Sequence, residues 1–231
     1  ATDYTVTPVP GTLKVTPATL TVQASNQEIQ YPASKPAPAD LGYTLVGGNV
    51  AGETPAYSGN LGYSAAVSAT TVAPGDYTGA IVGGSLALSN NSPFLAANYT
   101  LVVLPGNLKV TNGSFGVTLT GGNWPYDGNP HGPSLTGTQT GDKVTYYVKD
   151  GEDWTLVTAV PSVTNVLEGT VTVKAVVERA GYDPAESTAS IWITPATTGA
   201  TATGYDAKYD GLAHGITVVP NVTAGSTVKY S

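Results

Sequence analysis

Apolar and polar residues alternate at every second position along much of this chain. Leu20, Val22 and Ala24 alternate with Thr19, Thr21 and Gln23, and Val171, Val173, Ala175 and Val177 alternate with Thr170, Thr172, Lys174 and Glu178. Side chains two apart on a strand share a face, so each run predicts a strand with one dry and one wet side. The runs are short and separated by GG, PG, NG and DG pairs, which predicts antiparallel sheets packed in pairs. No run keeps a helical period for long. Residues 93–98 predict a single helical turn.

The punctuation repeats. The heptapeptides YDGNPHG (Tyr126–Gly132) and YDGLAHG (Tyr209–Gly215) lie 83 residues apart and hold both histidines of the chain. DYTVTPVPGTLKVT (Asp3–Thr16) and NYTLVVLPGNLKVT (Asn98–Thr111) lie 95 apart. Two module types therefore recur, and the chain reads as a slice of a longer array. The expected fold is all-β, a set of tandem immunoglobulin-like β-sandwich modules in an elongated array. Residues 1–17 read as the end of a preceding repeat, 18–112 and 113–195 as complete modules of different type, and 196–231 as the start of a further repeat. Pro17 and Pro195 pass one module's last strand into the next module's first, and proline favours extended geometry there. Asn112 and Gly113 lack that restraint, tolerate positive φ and read as a hinge.

Composition narrows the functional classes. Gly and Pro number 28 and 17 among the 231 residues, yet they punctuate Val/Thr/Leu/Tyr-rich runs, and 41% of the chain is hydrophobic, enough for packed cores. A net charge of −7 with nine dispersed Lys and Arg offers no basic stripe for phosphate, so no nucleic-acid partner is expected. The chain has no Cys, which removes disulfides, thiolate nucleophiles and Cys-ligated zinc. No run is apolar for long enough to insert in a membrane.

The motifs resemble two related groups of bacterial surface repeats, the MBG and YDG-type immunoglobulin-like modules. The first module resembles MBG through ATLTVQASNQEIQYP (Ala18–Pro32), APGDYTGAIV (Ala73–Val82) and NYTLVVLPGNLKVT, and departs from it at QYP, where a Tyr-Gly turn is usual. The second resembles the YDG type through YDGNPHG, GDKVTYYVKDGEDWT (Gly141–Thr155) and ASIWITPA (Ala189–Ala196). The resemblance implies an extracellular, multi-repeat protein of the bacterial cell surface or cell wall, of adhesin or stalk type. Its repeats would extend a binding region and present it multivalently, with neighbouring repeats of the same chain as contacts. The alternative is a module that binds a host glycan or host surface protein, including an accessory region of an extracellular glycoside hydrolase.

The candidate chemistry is sparse. His131 and His214 occupy matching places a module apart and cannot easily share one site, which favours a structural bond to a nearby backbone group or to Asp127 or Asp210 over catalysis or metal binding. No GxSxG elbow accompanies them. Asp150, Glu152 and Asp153 hold oxygens that calcium could use, but KDGEDW between YYV and TLV reads as a hairpin turn with Lys149 free to face an acid. Three acids on one loop tip do not make a glycosidase pair. Neither opening strand has a Lys for an isopeptide bond, while Gln23, Gln27, Gln30 and Gln139 keep a Thr–Gln ester open. No catalytic residue, metal site or cofactor is expected. The contact set of the binding alternative is Trp124, Tyr147 and Trp192. Ile191 and Ile193 claim the core, which turns Trp192 outward; Trp124 matches Ala207 in the next copy, a size change that argues against a core place.

Overall fold

The computed structural model describes residues 3–5, 7–221 and 227–229; parts of the terminal segments 1–17 and 196–231 lie outside the described residues. Among the described residues, regular structure is strand apart from 3-10 turns, so the chain is all-β. The helical turn expected over 93–98 is a 3-10 turn at Ala96–Asn98. The chain divides into two compact units, residues 1–114 with 181–183, and residues 115–180 with 184–231.

Among the described residues the first unit holds nine strands: β1 (Ala18–Ala24), β2 (Gln27–Gln30), β3 (Tyr43–Gly47), β4 (Ala56–Ser58), β5 (Gly62–Tyr63), β6 (Gly75–Val82), β7 (Ala87–Ser89), β8 (Tyr99–Leu104) and β9 (Gly106–Thr111). They form small separate sheets ordered β3-β1-β8, β2-β9-β6-β5 and β4-β7. The alternation in β1 sends Leu20, Val22 and Ala24 inward, all buried. Val22 and Ala24 of β1 share one core cluster with Ile81 of β6. Leu20 packs with Phe94 and Tyr99, whose rings stack 4.8 Å apart. Leu108 and Val110 of β9 fill a third cluster with Val67 and Val72. The QYP turn contains a cis Tyr31–Pro32 peptide. Residues 3–5 and 7–17, although they repeat the pattern of β8 and β9, lie outside any strand and are exposed.

The second unit is built on a five-stranded sheet. Its strands are β10 (Thr118–Thr120), β11 (Gly122–Pro125), β12 (Ser134–Thr136), β13 (Lys143–Asp150), β14 (Asp153–Val157), β15 (Val171–Glu178), β16 (Ala185–Thr194), β17 (Ala200–Thr203) and β18 (Thr217–Pro220). The large sheet runs β11-β16-β15-β13-β14, with β10-β12 and β17-β18 as two-stranded pairs. Its inner face carries Val173, Ala175, Ile191 and Ile193, closed by Leu119 and Val163. Arg179 makes a two-pronged bond to Asp142, at 2.9 Å from Nε and 2.8 Å from Nη2, and lies over the Phe115 ring. That guanidinium, with the Gln139 amide, holds the Asp142 carboxyl down at about 2.

Three acids of this unit serve turns. Asp127 accepts the Asn129 amide, Asp142 the Gln139 amide, and Glu168 the Thr164 and Asn165 amides. Short acidic side chains satisfy amides that a turn leaves without a ladder partner.

Candidate functional site

The two YDG turns adopt one geometry twice. In the first, Asp127 accepts the Asn129 amide at 2.8 Å and lies 3.0 Å from His131 Nε2. In the second, Asp210 accepts the Leu212 amide at 2.9 Å and lies 2.7 Å from His214 Nε2. The Asn129 amide and the His131 ring hold the Asp127 carboxyl down at about 2; His214, then the Leu212 amide, lower Asp210. The glycine after each Asp has positive φ, 80° at Gly128 and 75° at Gly211, which explains the DG pair. Each imidazole is thus fastened to a neighbour of its own turn, the structural reading of these histidines.

An aromatic ring covers each histidine, from a different position in each copy. Trp124 stacks on His131 with centroids 4.9 Å apart and planes 14° from parallel. Tyr205 stacks on His214 at 3.7 Å and 4°. Position 205 corresponds to Gly122 in the first copy, and a Cβ on Gly122 would come within 3.3 Å of the Trp124 ring. The Trp124/Ala207 size change is therefore an exchange: Gly122 with Trp124 in one copy, Tyr205 with Ala207 in the other. Either position thus places a ring on the imidazole.

This corrects the outward placement of Trp124. In the parallel β11/β16 ladder Trp124 pairs with Ile193, whose side chain is in the core, and Trp124 packs against that core cluster. Trp192 pairs with Asn123 on the opposite face and is half-buried there. Tyr147 shares that outer face but stands two strands over and four residues along, roughly 16 Å from Trp192 by strand spacing. The three aromatics do not converge on one site.

Tyr147 has a different neighbour. The Lys174 ammonium lies over the Tyr147 ring at 5.2 Å and over the Trp154 ring at 4.7 Å, and reaches Glu186 at 3.8 Å. Its side chain is only 19% exposed, so the two rings shelter a cation on the outer face of the sheet. Trp154 thus belongs with Tyr147 rather than with the core. The hairpin itself is as the sequence predicts, with Gly151 and Glu152 between the paired Asp150 and Asp153 and a φ of 61° at Gly151. Lys149, free to face an acid, has Trp154 as its cross-strand partner. A two-residue turn sets that register and could have placed Trp154 from the sequence.

In the first unit an open recess of about 450 Å³ lies among Asn26, Glu28, Asp76, Asn107 and Lys109. Lys109 pairs with Glu28 at 3.3 Å, while the Asn26 and Asn107 side-chain carbonyls accept the Asn107 and Gly79 amides. Two of the four glutamine amides raised as ester candidates are engaged with main chain: Gln23 donates to the carbonyls of Ala24, Leu104 and Pro105, and Gln30 to that of Asn112. Among the described residues no group of three or more His, Asp or Glu could hold a metal ion, and no helix is long and apolar enough to cross a membrane.

Asn112 and Gly113 leave β9 without a left-handed backbone. Gly113 donates to the Gly181 carbonyl and accepts the Asp183 amide, both at 2.9 Å, and Asn112 Nδ2 donates to Asp183 at 2.8 Å, all within the first unit. A Cβ on Gly113 would stand 2.4 Å from the Tyr31 carbonyl oxygen, so close approach, not positive φ, calls for glycine here. No protein-family model, curated protein or solved structure matches this chain.

Proposed function

We propose that this chain is a repeat region of a bacterial cell-surface adhesin, a non-enzymatic spacer of tandem immunoglobulin-like sandwiches related to the MBG and YDG-type modules. The observation that carries the proposal is recurrence in three dimensions. β10 pairs with β12 through Thr118↔Thr136, Leu119↔Leu135 and Thr120↔Ser134, and β17 pairs with β18 through the residues 83 positions later, Thr201↔Val219, Ala202↔Val218 and Thr203↔Thr217. The same Asp–His turn lies between the paired strands in both, with an aromatic ring stacked on the imidazole, Trp124 in one copy and Tyr205 in the other. Repetition of a whole local structure adds length and copies of a surface without new chemistry, which suits reach and multivalent display outside the cell.

The alternative, a glycan- or host-protein-binding module, has Trp192 as its best remaining contact. A glycan panel and titration with soluble oligosaccharides are expected to give no specific affinity for this chain. A reproducible hit abolished by Trp192→Ala would replace the spacer with the binder.

The spacer proposal retains the hinge at Asn112 and Gly113, since Pro17 and Pro195 restrain the other junctions. Gly113 is unsuitable for substitution because of its contact with the Tyr31 carbonyl oxygen. Asn112→Pro is therefore the test: small-angle scattering is expected to show a narrower distribution of particle dimensions than the wild type. An unchanged distribution rules the hinge out.

A further inference from the structure

We infer that the first unit is a tension-bearing clamp, with its opening and closing segments locked side by side in shear. β1 runs parallel to β8 through six consecutive pairs, Ala18↔Tyr99 to Gln23↔Leu104. β2 runs parallel to β9 through four, Gln27↔Leu108 to Gln30↔Thr111. Both ladders keep one offset of 81 residues, so residues 18–30 and 99–111 stay in a single register while the pair crosses from one sheet to the other.

The crossing, where the ladder lapses, is bridged by side chains. Gln23 Nε2 donates to the Pro105 carbonyl at 2.9 Å, and the Asn107 amide donates to Asn26 Oδ1 at 2.8 Å. Gly106 is buried, and a Cβ there would stand 2.8 Å from the Ser25 carbonyl oxygen, so the two segments touch through the crossing as well. At the far end Gln30 Nε2 reaches the Asn112 carbonyl and Thr111 Oγ1 the Ile29 carbonyl.

Parallel pairing fixes the direction of load. The start of β1 and the end of β9 lie at opposite poles of the paired segments, so tension between them runs along the strands. Every rung is then strained together, whereas strands pulled from one shared pole open one rung at a time. Sliding also drags Leu20, Val22 and Ala24 across the core, because their side chains are buried beside the rungs. The second unit has a shorter version, with β11 parallel to β16 from Gly122↔Ile191 to Pro125↔Thr194 and Thr194 Oγ1 donating to the Trp124 carbonyl. The clamp is a property of the ladders and does not rest on the spacer reading. A ligand found for the chain would leave it standing, and a weak clamp would leave the spacer open.

The test is single-molecule pulling on the full chain, whose lack of Cys lets engineered cysteines carry the handles. Ala18→Cys with Asn112→Cys loads the ladders in shear. Ala18→Cys with Thr100→Cys pulls the same two strands from one pole. Thermal melts must agree between the two variants, so that direction alone differs. The shear pair is expected to need a several-fold higher force at equal loading rate, and Asn26→Ala is expected to lower the shear force while leaving the one-pole force unchanged. Equal forces in the two directions, or a fall in both with Asn26→Ala, would overturn the clamp.

Discussion

Gly121→Ala should destabilise the second unit by on the order of 3 kcal/mol or more, while the matching change in the next copy, Gly204→Ala, should stay within about 0.5 kcal/mol. Gly121 stands between β10 and β11, and an added Cβ would lie 2.0 Å from the Ser190 carbonyl oxygen and 3.0 Å from its amide nitrogen. These are main-chain atoms of β16, the central partner of β11, so nothing flexible can give way. The methyl group has to push apart the strands that hold Leu119 and Ile191 together in the core. Gly204 has no atom within 4 Å of its would-be Cβ. Neither glycine is in the left-handed region, so contact separates them and torsion does not. Urea unfolding followed by tryptophan fluorescence checks this directly, because all three tryptophans, Trp124, Trp154 and Trp192, belong to the second unit. Similar losses for the two variants would mean that the β10–β11 corner tolerates displacement.

What the sequence made legible, and what it hid, follows from the range of each signal. Alternation in β1, β15 and β16 sorts inner from outer residues correctly, since period two is a local property. The β13–β14 hairpin is equally local. The pairing of residues 18–30 with 99–111 is not, because parallel partners 81 residues apart leave no mark in either segment. Residues 3–16 show the limit from the other side. They share a pattern with 98–111, yet the described residues among them, 3–5 and 7–16, form no strand, since a strand exists only with a partner to complete its ladder. Trp124 was misplaced for a related reason. Its side is set by Ile193 across a parallel ladder, and comparison with Ala207 alone missed the compensating pair Gly122 and Tyr205. Lys174 between Tyr147 and Trp154 needed the cross-strand register as well as the alternation.

The exchange between the two copies predicts strong coupling in a double variant. Trp124→Ala removes a ring that packs on the core and covers His131, and is expected to cost about 3 kcal/mol. Gly122→Tyr alone is expected to cost about 1–3 kcal/mol, because its Cβ would meet Trp124 ring atoms at 3.3 and 3.4 Å. Combined, the two substitutions rebuild the second copy's arrangement, with Tyr at the position of Tyr205 and Ala at that of Ala207. The double variant is expected to be more stable than either single one, with a favourable coupling of roughly 1–3 kcal/mol. Urea unfolding checks the energies, read through Trp154 and Trp192, which all four proteins of the cycle retain. The His131 ring protons give a second readout by NMR. Their upfield ring-current shift should collapse in Trp124→Ala and return in the double variant, when the tyrosine ring takes the tryptophan's place. Simple additivity of the two losses, or a His131 signal that fails to return, would show that Gly122/Trp124 and Tyr205/Ala207 are unrelated choices and not two solutions to covering one imidazole.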